Sequence, residues 1–354
     1  MRIRRKKRDT IVKYCARVIY SMVFGILLGI GPVRLSTAAQ VKLEKPTVHI
    51  GYASQSGAFA QLWIAAQRGY FNAEGLNAEI LFTRTVTGVQ AMVSGELDFV
   101  ATGCPELFRA KRQGFDLRVV GDFAPVNVYL IASRKEITTP KQLVGKKVGV
   151  NQFLDTSHVS ARFALRHVGV DPDSVTFIQV GSTPERFAAL RAGTVDGAVQ
   201  AALFKPVLAQ QGLNNLISLY DMKIPYCSGG FAASAETLKK YPRLAEATMR
   251  AVVRGHAFLG KGPEDQSKAI MSRYMRLPTT DARLVASYTF FAKDAYFGAP
   301  KISAEAARIT LDMMGETDPS WKKEKAENFI DASILSRLEA EGFVDAVNKE
   351  FQSK

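Results

Sequence analysis

Residues 48–82 read VHIGYASQSGAFAQLWIAAQRGYFNAEGLNAEILF, and this stretch decides the fold. Val48-His49-Ile50-Gly51-Tyr52 has the length and composition of a buried strand. Phe59, Leu62, Trp63, Ala66 and Tyr70 then recur at helical spacing, and Ala78-Glu79-Ile80-Leu81-Phe82 is a second strand. Val89, Met92 and Val93 mark a second helix that Gly95 closes, Phe99-Val100-Ala101 is a third strand, and residues 117–121 are a fourth. This alternation predicts a mostly parallel sheet with helices on both faces.

The pattern then starts again. Strands are expected at 147–150, 175–178 and 198–199, with helices marked by Ala161, Leu165 and Val168 and by residues 187–190. A short signature falls at the same place in each pass. Val93-Ser94-Gly95-Glu96-Leu97-Asp98 and Arg191-Ala192-Gly193-Thr194-Val195-Asp196 both place Gly-x-(Leu/Val)-Asp between a helix and a strand. Gly95 and Gly193 suit the left-handed residue that ends a helix. The chain therefore reads as two α/β lobes of one topology. One crossing lies at 122–130 and a return near 220–231, where Pro225, Gly229 and Gly230 sit. Beyond it the pattern is helical, at 244–259, 264–276, 280–293, 303–315 and 331–341. The expected division is a leader at 1–39, lobe one from 40–126 and 228–354, and lobe two from 127–227.

Composition is consistent with this. The chain has 354 residues, 47% hydrophobic and 23% charged, with a mean hydropathy of −0.02. These values suit a globular bilobal protein and exclude a polytopic membrane protein. The net charge of +14 does not imply nucleic acid, because nine Lys/Arg against one acid in residues 1–39 leave only +6 for the rest. That leader has a basic head, an apolar run from Val18 to Ile30 and the small residues Ser36-Thr37-Ala38-Ala39. The run is shorter than the roughly 20 residues a membrane span needs, so it reads as a secretory signal peptide cut after Ala38 or Ala39. An uncleaved anchor is the alternative. Cys15 precedes the apolar run and lacks a lipidation context. Export leaves Cys104 and Cys227 in an oxidising compartment, as a pair or as two free thiols.

Chemistry-bearing motifs are sparse. No phosphate-binding Gly-rich loop, dinucleotide fingerprint or nucleophile elbow is present, and His49, His158, His167 and His256 have no metal-ligand spacing. No cofactor or metal is expected. The candidate ligand contacts are loops at the carboxyl ends of strands: Ser54, Gln55, Ser56 and Gly57; Thr102, Gly103 and Cys104; Asp155, Thr156, Ser157 and His158; and Ala201 and Phe204, with Asn127 in the first crossing. Ser56 and Asp155 are also read as plain helix caps. Phe59 and Trp63 read as core. Arg109, Lys111, Arg112, Arg186 and Arg191 read as a solvated helix face. The loops at 54–58 and 155–158 are expected to face each other across the cleft.

Gly69-Tyr70-Phe71 followed by Glu74-Gly75-Leu76, the two Gly-x-x-Asp turns and Leu143-Val144-Gly145-Lys146-Lys147-Val148-Gly149-Val150 resemble the substrate-binding proteins of ABC importers. The resemblance is to the NMT1/THI5-like group that serves sulfonates, taurine, nitrate and thiamine-precursor pyrimidines, and it covers about residues 46–260. It implies a two-lobed periplasmic-binding fold with a two-segment hinge. It further implies a monomer that captures a small organic molecule or oxyanion in the periplasm and delivers it to a membrane permease. It implies no enzymatic activity and no nucleic-acid partner. An exported sensor, or an enzyme of the thiamine-pyrimidine or menaquinone-pathway type, is the alternative on the same scaffold. Fungal thiamine-pyrimidine synthases resemble this fold but carry a dense cysteine motif, which this chain lacks.

Overall fold

A computed structural model describes residues 42–296 and 298–351. The reading of residues 1–39 lies outside the described residues. The sheet of lobe one holds β1 (Thr47–Tyr52), β2 (Asn77–Phe82), β3 (Phe99–Thr102), β4 (Leu117–Asp122) and β10 (Gly230–Ser234). The sheet of lobe two holds β5 (Tyr129–Ser133), β6 (Lys147–Val150), β7 (Thr176–Gln179), β8 (Gly197–Ala201) and β9 (Asn214–Ser218). The strand orders are β2-β1-β3-β10-β4 and β7-β6-β8-β5-β9.

These are the same order. In each sheet the first parallel strand is flanked by the second and third, and an antiparallel strand separates the third from the fourth. That antiparallel strand is the one each crossing supplies: β5 as the chain enters lobe two and β10 as it returns. Both carry a register shift in their pairing with the fourth strand, at Phe231/Ala232 and at Ile131/Ala132. The sequence pattern signals parallel strands and misses this inserted one.

The repeated turn does one job twice. Gly95 and Gly193 are left-handed, at φ 83° and 72°. Three positions on, each aspartate accepts a backbone N–H from the first parallel strand of its lobe. Asp98 Oδ2 takes it from His49 at 2.9 Å and Asp196 Oδ2 from Lys147 at 3.0 Å. The signature therefore anchors the third strand of each lobe to the first.

The helices that matter to the site are α1 (Ala60–Gln67), α2 (Thr85–Val93), α3 (Cys104–Arg112), α4 (Thr156–His167) and α5 (Thr183–Arg191). The long α6 (Pro242–Lys261) packs on α1 through Gly255, where an added Cβ would lie 2.2 Å from the Gln61 carbonyl. α7 (Glu264–Met275) and α8 (Ala282–Thr289) extend that layer, while α9 (Ala304–Met314) packs against α3 and α4 instead. Phe59 and Trp63 are core as expected, and Trp63 stacks on Tyr274 at 4.9 Å.

The two crossings form a short antiparallel ladder. Phe123 N–H donates to Gly229 O, Tyr226 N–H to Pro125 O and Asn127 N–H to Ile224 O. Asp122 binds both crossings at once, its Oδ1 accepting from Ala124 N–H at 3.1 Å and Gly229 N–H at 3.0 Å. Cys104 and Cys227 form a disulfide, with Cα atoms 5.6 Å apart. It ties the return crossing to the first residue of α3. No described helix is long and apolar enough to cross a membrane.

Candidate functional site

The strand carboxyl ends of lobe one deliver Thr102, Gly103 and α3. Those of lobe two deliver residues 151–155 and α4. These two sets touch. Thr156 Oγ1 lies 3.5 Å from both carboxylate oxygens of Glu106, and a Cβ on Gly103 would lie 3.1 Å from the same hydroxyl. Arg109 donates to the Leu154 carbonyl across the same junction. The facing partner of the 155–158 turn is therefore α3.

The loop at 54–58 was expected in that place and sits elsewhere. Gly57 N–H donates to Ser287 Oγ of α8 at 3.0 Å, Ser54 is exposed, and Gln55 and Ser56 are half-buried. Ser56 makes no capping bond with its side chain. Phe204 lies 6.2 Å from Phe187 in lobe two, beside a short turn that also neighbours α8. Ala201 stands opposite Tyr129 in the β8–β5 ladder. So Ser54, Gln55, Ser56, Gly57 and Phe204 gather near α8, while Gly103, Cys104 and Thr156 gather at the α3–α4 junction. Thr102 Oγ1 bonds Thr85 Oγ1 at 3.3 Å, at the start of α2.

Within the 155–158 turn the roles divide. Asp155 is a cap: it accepts from His158 N–H at 3.0 Å, Ser157 Oγ at 2.7 Å and Asn151 Nδ2 at 2.6 Å. Ser157 Oγ accepts from Asn151 N–H at 2.9 Å. His158 Nδ1 accepts from Leu154 N–H at 3.0 Å, and its ring meets Phe153 and Phe177 edge-on. Burial, then Arg162, holds its pKa down, so the ring is neutral and an acceptor. Together these bonds hold Leu154 at φ 67°, an unfavourable conformation for a branched side chain. Thr156 alone in this turn reaches across. Asn127 is fully buried in the crossing, its Oδ1 accepting from Tyr129 N–H at 3.0 Å and its Nδ2 donating to Ser160 at 2.8 Å.

Glu106, Tyr226 and Tyr129 were not anticipated here, whereas Gln200 opens the expected 200–204 loop. Glu106, in the first turn of α3, has its carboxyl pushed up to about 7, chiefly by burial. Tyr226, one residue from the disulfide, is 0% exposed and its hydroxyl has no hydrogen-bond partner. Burial and then Glu106 hold it well above the ordinary phenol value. Tyr129 is pushed up to about 12 by burial and the neighbouring Asp155. Gln200 is 0% exposed with neither amide atom bonded.

Arg186 corrects an expectation. It was read as part of a solvated face, yet it is 2% exposed and donates to Val199 O, Gly181 O and Thr183 Oγ1. Its own helix shows no apolar stripe to announce this. The burial arises because α5 packs on β8, where Arg186 donates to the carbonyl of Val199 in the middle of the strand. No described group of three or more His, Cys, Asp or Glu could hold a metal ion.

The junction is a buried, polar contact between two lobes of like topology. It offers one half-buried carboxylate, a threonine and two tyrosine hydroxyls, and a buried guanidinium and amide nearby.

A family model described as NMT1/THI5 like matches residues 56–266, more than half of the chain. The taurine-binding periplasmic protein of Escherichia coli K12 is 26% identical over 175 residues, which are 46% of this chain and 51% of that protein. The formylaminopyrimidine-binding protein of Halalkalibacterium halodurans is 23% identical over 60% of this chain and 65% of its own length. The chain thus spans about half to two thirds of the length of these curated relatives. Among solved structures, the periplasmic aliphatic sulphonate binding protein of Escherichia coli superposes with a TM-score of 0.66 at 20% identity, covering 81% of this chain and 92% of that one.

Proposed function

The chain belongs to the NMT1/THI5-like family, and from that premise we propose that it is the solute-binding component of an ABC importer. In this reading it works in the periplasm as a monomer. It captures a small organic molecule or oxyanion between its lobes and hands it to a membrane permease. It is a binding protein and catalyses no reaction.

One observation carries the reading. The first turns of α3 and α4 meet at the carboxyl ends of both sheets, and the buried hydroxyl of Tyr226 beside them is left without a partner. A buried polar group without a bond costs about 1–3 kcal/mol, which a ligand placed there recovers. Such a ligand contacts both lobes and so favours the closed state by its differential affinity. The disulfide supports the periplasmic placement, since such bonds persist in oxidising compartments. The relatives named above are themselves binding proteins.

Among the described residues the sheets are joined through the two crossing segments, and in this reading those segments act as the hinge. Solute extracted from natively purified protein, restored to the stripped protein, is expected to lower the radius of gyration in solution scattering. Scattering that stays the same at saturation would remove closure from the mechanism.

A further inference from the structure

Another contact between the lobes lies roughly 15 Å along α4 from Thr156, and α9 makes it. α9 belongs to lobe one. Ala307, Leu311 and Met314 on one of its faces are buried with Leu107, Phe108 and Val119. The chain after it stays on the same lobe. Val119 N–H donates to Phe329 O at 3.0 Å and Asp331 N–H donates to Val119 O at 2.8 Å, so residues 329–331 run along the outer edge of β4.

Other residues of this segment reach the crossings and lobe two. Thr310 Oγ1 accepts from Cys227 N–H in the return crossing at 3.1 Å. Met313 Sδ accepts from Asn127 Nδ2 in the first crossing at 3.6 Å. Two residues past the helix, Glu316 meets α4. Its carboxylate pairs with Arg166, and its backbone carbonyl accepts from Arg162 Nε at 3.3 Å. The Glu316 side chain is 6% exposed, with Lys322 of lobe one 3.8 Å away, while Arg162 also holds Asp173 of lobe two. Among the described residues, Glu316–Arg166 is the one ion pair that joins the lobes.

α9 moves with lobe one and α4 with lobe two, so rotating one lobe on the other displaces this contact. A carboxylate so far withdrawn from water is costly to leave unpaired. We infer that Glu316 is an interlobe latch: its bonds to Arg166 and Arg162 hold the arrangement in which the first turns of α3 and α4 meet, and they set how much of the solute-free protein is already closed. The latch acts without solute and touches none. It enters solute affinity indirectly, because apparent affinity scales with the fraction of protein already in the binding-competent state.

The test compares wild type, Glu316→Gln, Arg166→Gln and the double variant, each stripped of small molecules, with Glu246→Gln as control. Glu246 pairs with Arg337 within lobe one, so its loss removes a charge and leaves the lobe contact intact. Arg166 is 54% exposed, so Arg166→Gln is expected to fold whether or not Glu316→Gln does. Melting curves identify the folded variants. Solution scattering gives the radius of gyration of each stripped protein. The small-molecule fraction released from natively purified wild type is the binding probe, titrated as a dilution series. Each single variant is expected to expand the stripped protein, or to raise the dose of that fraction needed for half-saturation about three- to tenfold. The double variant is expected to lose no more than either single one, since both remove the same bond. A folded single variant that keeps both the wild-type radius and the wild-type half-saturation would overturn the latch. So would contraction of the stripped variants, an equal change in Glu246→Gln, or losses that multiply in the double variant. If the fraction does not bind the wild type, scattering decides alone: an unchanged radius overturns the latch, and the failed titration counts against the solute-binding reading.

Discussion

Replacing Cys104 and Cys227 together by Ser is expected to cost about 3–5 kcal/mol of stability. The bond joins residues 123 apart in sequence, and the segment between them contains the whole sheet of lobe two. Closing so long a loop removes much of the conformational freedom of the unfolded chain, which is where a disulfide acts most. The pair is also fully buried among Leu107, Phe108, Val119 and Ala232, so two serines would leave two hydroxyls in an apolar cluster. Guanidinium unfolding with and without reductant measures the effect. A midpoint shared by wild type, reduced protein and double variant would show that the pair is not formed or not stabilising.

The second large effect belongs to Asp122. Its side chain is 0% exposed, and Oδ1 accepts from one residue of each crossing while Oδ2 has no partner. Asp122→Ala leaves the Ala124 and Gly229 N–H groups without that acceptor, for an expected loss of roughly 2–4 kcal/mol. Asp122→Asn keeps an oxygen for both and removes the ionisation. Burial pushes this carboxyl up to about 7, above the unfolded value of 3.8, against the pull of the two N–H groups. A carboxyl raised on folding binds its proton more tightly in the native state. Its stabilising contribution is therefore full below the unfolded value, falls as pH rises, and is gone above about 7. Glu106, also pushed up to about 7, contributes in the same window and with the same sign. Stability measured from pH 4.5 to 8 is expected to decline in the wild type. The decline should be shallower in Asp122→Asn and shallower again when Glu106→Gln is added. A pH slope that persists undiminished in the double variant would assign it to other groups.

How far the sequence reveals this molecule depends on where the information lies. The alternation of apolar runs with helical spacing is local, and the parallel strands can be read from it. The Gly-x-x-Asp turns are legible because a left-handed glycine and an anchoring aspartate both need specific residue types at fixed spacing. The inserted strands β5 and β10 are less so. Tyr129–Ser133 and Gly230–Ser234 are short segments inside crossings, and nothing local says that each joins a sheet. The site is harder still. Glu106 in a first helical turn is ordinary, and only the approach of Thr156, 50 residues on, makes it distinctive. Tyr226 is brought there by the crossing ladder and the neighbouring disulfide. Arg186 looks solvated from its helix alone and is buried against β8, the central strand of its sheet. The 54–58 loop misled because its place at the end of β1 resembles that of the 151–155 loop at the end of β6. The C-terminal helix α8 lies against it in lobe one, and the helical tail has no counterpart in the repeated pattern.

The central claim is that one solute bridges both lobes at the α3–α4 junction. Hydrogen–deuterium exchange on stripped protein, before and after the co-purified solute is restored, tests it most directly. The account predicts that protection rises together in three segments far apart in sequence: 103–109, 154–160 and 226–230. Protection confined to one lobe, or appearing at 54–58 and 202–204 with the junction unchanged, would contradict it.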